Sequence, residues 1–336
     1  GVALNRSYGV IKYPVTGQPN SPVSDSPAAM IFVGRLLSAF FGVGTVALLI
    51  ALGTRLFRRE LGWCAGLLFA VIPAAVLHGH YATVDSAATF FVTLALLVSA
   101  KLFQQTTPKA LLLAGFCCGL AGAAKYNAIL VFAAPMMILL SKRPFELPRI
   151  AREKTIMVAG VLIGFLIACP GVFLNFDGFK KDFLFELNKS REGMGTLFVD
   201  TGNGWVYTLS TSFRYGLGIP LLLAFLMAIV WSFLRRDSKK GYLLGFFIPY
   251  FLVIGASQVR FLRYIVPVLP VVALLVPVAI FEIAEQFRAH RISPAVLAAL
   301  CGWTLINSVS LNSTLVTPDP RDMAMDYMQK EGLLGK

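Results

Sequence analysis

The chain is a succession of apolar blocks, each about 16 to 24 residues long, with its ionisable residues gathered at the block ends. A helix needs roughly 20 apolar residues to cross a hydrocarbon core, and backbone in lipid must satisfy its hydrogen bonds within its own helix. The blocks therefore read as membrane-spanning helices. Their approximate windows are 29–52, 62–77, 83–103, 110–124, 126–141, 155–174, 215–233, 241–257, 264–281 and 292–310. This predicts an all-α, polytopic integral membrane protein with about ten transmembrane helices. Composition agrees. The 336 residues are 57% hydrophobic and 14% charged, too little polar surface to coat a soluble globule of this size.

A net charge of +13 would suit nucleic acid, but the placement of the basic residues argues for a membrane. One set of alternate loops holds Arg55, Arg58 and Arg59, then Lys101 and Lys109, then Lys142, Arg143, Arg149, Arg152 and Lys154. Arg235, Arg236, Lys239, Lys240, Arg288 and Arg291 complete it. The positive-inside rule makes these loops cytoplasmic. The opposite, external loops hold Asp85, Asp177, Asp182, Glu186, Glu192 and Asp200. Membrane lipids are the expected surroundings, and no nucleic acid is expected as a partner.

Residues 1–28 read as the remnant of a first external loop, 29–310 as the transmembrane helical domain, and 311–336 as the start of an external C-terminal region. Both ends read as cut from a longer protein. The five cysteines, Cys64, Cys117, Cys118, Cys169 and Cys301, all lie in apolar blocks and show neither metal nor disulfide spacing. Gly115 with Gly119 and Gly160 with Gly164 are small-xxx-small pairs that let helices approach closely. The only long internal loop is expected at 175–205, with Trp205 and Tyr207 at an interfacial belt where the next helix begins.

The informative polar residues fall on the external side. His78, His80 and Asp85 lie in one short turn. Asp85 there would complement the dipole of the following helix, or face an external cavity. The three together could also hold a divalent metal ion, the one cofactor these residues suggest. Lys125, followed by Tyr126 and Asn127, sits between two apolar blocks and would either snorkel or meet a lipid phosphate. Arg260, Arg263 and Tyr264 open another span. The arginines share a helical face and would anchor at the interface or grip phosphate oxygens. Arg35, about two turns into the first span, would snorkel or act at the external face.

Four segments carry a resemblance. They are GRLLSAFFG at 34–42 with RLFRR at 55–59, HYATVD at 80–85, GLAGAAKYN at 119–127 and RYIVPVLP at 263–270. In this order and spacing, from about residue 30 to 310, the chain resembles membrane glycosyltransferases of the dolichyl-phosphate-mannose protein mannosyltransferase type. The bacterial aminoarabinose transferases of lipid A belong to the same broad group. The resemblance implies a GT-C-like fold. It also implies transfer of a sugar, mannose by default, from a polyprenyl-phosphate carrier to a protein or cell-envelope lipid or glycan acceptor on the external face. It makes Lys125 and Arg263 candidates for the phosphate, with His80, Tyr126, Arg35, Arg260 and Tyr264 around them, and Asp85 a candidate for positioning or catalysis. The acidic residues the family carries in its first external loop are not in this sequence. Asp25 is the only carboxylate before Arg35 and the remaining candidate for the base. This stretch alone is expected to be inactive.

The competing reading is a secondary transporter or lipid flippase, since Pro135, Pro170, Pro220, Pro249, Pro267, Pro270 and Pro277 could break helices. Ionisables gathered at external ends rather than span centres favour interfacial chemistry. The expected location is a bacterial inner membrane, with the endoplasmic reticulum membrane as the alternative. The sequons at Asn5, Asn188 and Asn312 decide nothing.

Overall fold

The structure is a computed structural model that describes residues 27–142, 146–313, 315 and 320–332. Residues 1–26, with Asp25 and the sequon at Asn5, lie outside the described residues, as do Arg143 and several positions of the 311–336 region. All regular structure among the described residues is helical.

Helix α1, Pro27–Leu56, leads into a returning pair, α2 at Arg59–Val71 and α3 at Pro73–Gly79, bent by 63°. Pro73 brings no N–H to the helix ladder, and Ser308 donates its hydroxyl to the Val71 carbonyl at the bend. There follow α4 at Val84–Phe103, α5 at Pro108–Ala124, α6 at Tyr126–Ser141 and α7 at Leu147–Ala168. The second half comprises α8 at Phe176–Glu192, α9 at Gly204–Leu217, α10 at Ile219–Arg235 and α11 at Ser238–Ala256. It closes with α12 at Leu262–Gln286, α13 at Ile292–Ser313 and α14 at Pro320–Lys330.

The core is built round α12. Its apolar window is 89% buried, and it touches α1, α2, α3, α4, α9, α10, α11 and α13. The two ends of the bundle segregate as the charge bias implies. At the basic end Arg58 pairs with Glu285 at 3.1 Å and Lys240 with Glu282 at 2.6 Å, while Arg55 bonds to Gln104. At the other end Ser38 bonds to the Thr83 carbonyl, and the Gln258 amide to Ser190.

Among the described residues, five helices are long and apolar enough to cross a membrane, or up to seven if each bent pair is one span, so the expected ten or so are not confirmed. The other blocks fall short for physical reasons. Helices α5 and α6 are short, α7 opens with Arg149, Arg152, Glu153 and Lys154, and α9 turns into α10 through 120° at Gly218, whose φ is +79°. The long external loop is largely α8. The Asn175 side chain caps it by accepting from the Gly178 amide at 3.0 Å, Asp177 lies in its first turn, and Lys189 and Arg191 lie in its last. Phe176, Phe179, Phe183 and Leu187 form an apolar stripe that the charged residues between them hide from a window average.

The two glycine pairs meet each other. A Cβ at Gly119 would lie 2.2 Å from the Val161 carbonyl oxygen, and one at Gly160 would lie 2.2 Å from that of Leu112. Backbone thus packs on backbone along α5 and α7, an approach that no larger residue permits. Gly119→Ala is expected to cost about 1–3 kcal/mol by overpacking. Gly241→Ala, where nothing lies within 4 Å, should be close to neutral. Thermal unfolding in detergent checks this, and equal effects of the two substitutions would refute the backbone-contact account.

Candidate active site at the external end

A cavity of about 700 Å³ opens where α4, α5, α6, α8, α11 and α12 converge, at the end of the bundle opposite the basic loops, the end that the charge bias assigns to the external side. Each wall has a local cause. Asp85 lies in the first turn of α4, and Thr83 ahead of it is extended. Lys125 is extended too, and this break ends α5 and starts α6 with a tight 3-10 stretch. Residues 257–261 end α11 without continuing it into α12, which starts at Leu262, so Arg263 and Tyr264 sit at the cavity rim.

The centre of the site is an ion pair. Lys125 Nζ lies 2.6 Å from Asp85 Oδ1, with the side chains 15% and 2% exposed. Burial pulls the Lys125 ammonium below the ordinary lysine range, and the neighbouring carboxylate works against that shift. The ammonium also stands 4.9 Å from the centre of the Tyr264 ring. The Tyr264 carbonyl is fixed in turn by the buried Tyr250 hydroxyl at 3.0 Å.

Helix α8 closes one side. Tyr126 meets Phe183 edge-on at 5.3 Å and Phe179 at 6.4 Å. At the far end of α8 the Ser190 hydroxyl reaches that of Ser257 at 3.0 Å. This docking brings Glu186 and Lys189, paired at 2.8 Å, into the cavity wall. Arg263 stacks over Phe261 at 4.8 Å, and among the described residues no carboxylate pairs with it. The arrangement offers cations to an anion, with apolar surface from Leu187, Val253 and Ile254 beside them.

Of the residues singled out from the sequence, Asp85, Lys125, Tyr126, Arg263 and Tyr264 line this one cavity. Three others do not. Arg35 is exposed on the outside of α1, and His80 is exposed at the end of α3. Arg260 turns away to hold the segment before α9. It donates to Thr201 Oγ1 at 2.6 Å and the Gly202 carbonyl at 2.7 Å, and stands 5.7 Å from the Tyr207 ring centre. The helical spacing that paired it with Arg263 does not apply, because no helix joins the two residues. Asp25 lies outside the described residues. His78 is buried while His80 is not, and among the described residues no three His, Cys, Asp or Glu side chains gather as a metal site requires. The sequence reading missed Glu186 and Lys189 as site residues. Their i, i+3 spacing in an amphipathic stretch was the available signal.

The ion pair yields a stability prediction. Removing one partner of a buried pair leaves an uncompensated charge and typically costs about 3–5 kcal/mol, whereas removing both can be nearly neutral. Lys125→Met and Asp85→Asn should each lower the unfolding temperature, and the double variant should recover much of the loss. Additive losses would show that the two side chains are not energetically coupled.

The comparisons with known proteins agree with this architecture. ArnT from Cupriavidus metallidurans, in a crystal structure bound to undecaprenyl phosphate, superposes with TM-score 0.58 at 19% identity, covering 86% of this chain and 52% of ArnT. The Archaeoglobus fulgidus oligosaccharyltransferase tethered to an acceptor peptide gives TM-score 0.55 at 16% identity, covering 94% of this chain and 47% of that one. The same archaeal enzyme with an inhibitory peptide and a dolichol-phosphate gives TM-score 0.50 at 16% identity, covering 90% and 46%. The chain therefore spans about half the length of the solved structures it matches, and at these identities the likeness is one of fold. No curated protein sequence matches significantly. A sequence model of the dolichyl-phosphate-mannose-protein mannosyltransferases matches residues 3–183, which carry Asp85, Lys125, Tyr126 and the start of α8. With more than half its length matched, the chain belongs to the dolichyl-phosphate-mannose-protein mannosyltransferase family.

Proposed function

We propose that this protein is a membrane glycosyltransferase that moves a sugar from a polyprenyl-phosphate carrier to an acceptor hydroxyl on the external face of the membrane. The observation that carries this reading is the meeting of Asp85, Lys125 and Arg263 in one external cavity, within a family named for that chemistry. The undecaprenyl phosphate in ArnT and the dolichol-phosphate in the archaeal enzyme support a lipid phosphate as the donor's leaving group.

The chemistry follows from the charges. The bond between the sugar's anomeric carbon and the phosphate oxygen breaks, and its electrons stay on phosphate. The acceptor oxygen bonds the anomeric carbon from the opposite face and gives its proton to a carboxylate base. Lys125 and Arg263 would stabilise the charge that grows on phosphate. Asp85 would orient Lys125 and the reacting groups. The base would be a carboxylate of the first external loop, for which Asp25 is the one candidate in this sequence. Mannose is the default sugar by the family's name, a protein or envelope glycan the acceptor, and a bacterial inner membrane the proposed site. A transporter would need polar groups at mid-membrane, and the central helix carries no ionisable residue between Tyr264 and Glu282.

The test reconstitutes the full-length protein with labelled polyprenyl-phosphate sugars and follows release of free polyprenyl phosphate. Arg263→Ala and Lys125→Ala should lower kcat/KM by about a hundredfold, as loss of a group that stabilises developing charge does. Arg263→Lys should recover only part, because a point charge replaces a two-pronged donor. Donor turnover unchanged by these substitutions would place the chemistry elsewhere. No turnover of any lipid-phosphate sugar by folded protein, given a panel of acceptors, would favour the transporter reading.

A further inference from the structure

The cavity wall carries three cations, Lys125, Lys189 and Arg263, and two carboxylates, Asp85 and Glu186. Each carboxylate is paired, Asp85 to Lys125 at 2.6 Å and Glu186 to Lys189 at 2.8 Å. Arg263 alone, among the described residues, has no counter-ion. The wall therefore presents one net positive charge. This count does not depend on where the Lys125–Asp85 proton sits, because moving it within the pair leaves the sum unchanged.

A site meant only to hold phosphate tightly would not spend two carboxylates on its cations. The proposed reaction changes the charge of its ligand. The carrier-linked sugar is a phosphodiester with one negative charge. When its bond to the anomeric carbon breaks, the electrons remain on phosphate and the acceptor's proton goes to the base. The carrier is then a phosphomonoester, whose second pKa near 6 makes it mostly a dianion at neutral pH. One net positive charge balances the diester and leaves the monoester with a second, unmatched charge beside the partly buried wall of a half-open cavity, where it is less well stabilised than in bulk water.

We propose that Asp85 and Glu186 limit the cavity to one net positive charge, so that it holds the donor phosphodiester and expels the product phosphomonoester. This rests on the lipid-phosphate reading above and assigns a role to α8, whose docking through Tyr126 and Ser190 brings Glu186 and Lys189 to the wall. Asp85 and Glu186 act as specificity-determining residues through the cations they neutralise. Asp85, buried, has the larger effect, and Glu186, half-exposed, the smaller.

The experiment measures binding of farnesyl phosphate and of its methyl phosphodiester to the full-length protein in lipid nanodiscs at pH 7.5. The two probes share a chain and differ by one charge. The wild type should bind the diester at least as tightly as the monoester. Asp85→Asn should raise affinity for the monoester relative to the diester by about tenfold, and Glu186→Gln by about threefold, as loss of a partly screened neighbouring charge allows. Glu186→Gln keeps the test open if Asp85→Asn does not fold. A merely structural role for either carboxylate would shift both ligands alike. That outcome, or a wild type that prefers the monoester tenfold, would overturn the proposal and leave the transferase reading standing. Failure of both lipids to bind, or equal displacement by inorganic phosphate, would overturn the carrier reading and this inference with it.

Discussion

Hydrocarbon offers no partner to a backbone N–H or C=O, and that constraint shapes the whole molecule. Regular helix is required wherever lipid is the neighbour, and irregular backbone is tolerated only where protein or water covers it. The breaks fall accordingly. The bend at Ile72, the extended Lys125, the sharp turn at Gly218 and the segment 257–261 all lie toward the external end. The Val71 carbonyl at the first bend is satisfied by a serine from α13. At two of these junctions, Lys125 and the segment 257–261, residues at the helix ends line the cavity. The site is therefore a product of where the helices are allowed to stop.

Close packing makes that end rigid enough to hold charges. Glycines let α5 and α7 approach to backbone contact, which fixes the end of α5 and with it Lys125. The apolar α12 packs against eight helices and delivers Arg263 and Tyr264 from the other side. Holding an ammonium or a carboxylate singly at such burial is costly, and their pairing offsets that cost. The aromatic contacts of Tyr126 then carry the coupling outward to α8, the one helix of the site that has no buried residue of its own.

Much of this was legible in the sequence. Block length and charge placement gave the helical membrane class and the two ends of the bundle, and the glycine spacings pointed to helices that pack closely. Asp85, Lys125 and Arg263 stood out because each ends or begins an apolar block. What the sequence could not show was contact. Asp85 and Lys125 are 40 residues apart, and nothing local says that they meet. Arg260 and Arg263 looked like one helical face, but the chain is extended between α11 and α12, so the two guanidiniums part company. The charges of α8 masked its apolar stripe, so it read as a loop, and Glu186 and Lys189 were not singled out as site residues. The expected number of spans is not confirmed among the described residues for a related reason, since apolarity along a block does not reveal a bend within it.

The central claim is that a lipid phosphate docks at the external cavity between α8 and the Asp85–Lys125 pair. The most direct measurement is photocrosslinking of the protein in membranes with a polyprenyl phosphodiester, the charge state of the donor, that carries a diazirine beside the phosphate, with the labelled peptides mapped by mass spectrometry. The account predicts labels in the segments around Tyr126, Phe183–Ser190 and Arg263, competed by the unlabelled phosphodiester. Labels gathered instead at the basic end, around Lys240 and Glu282, would contradict it.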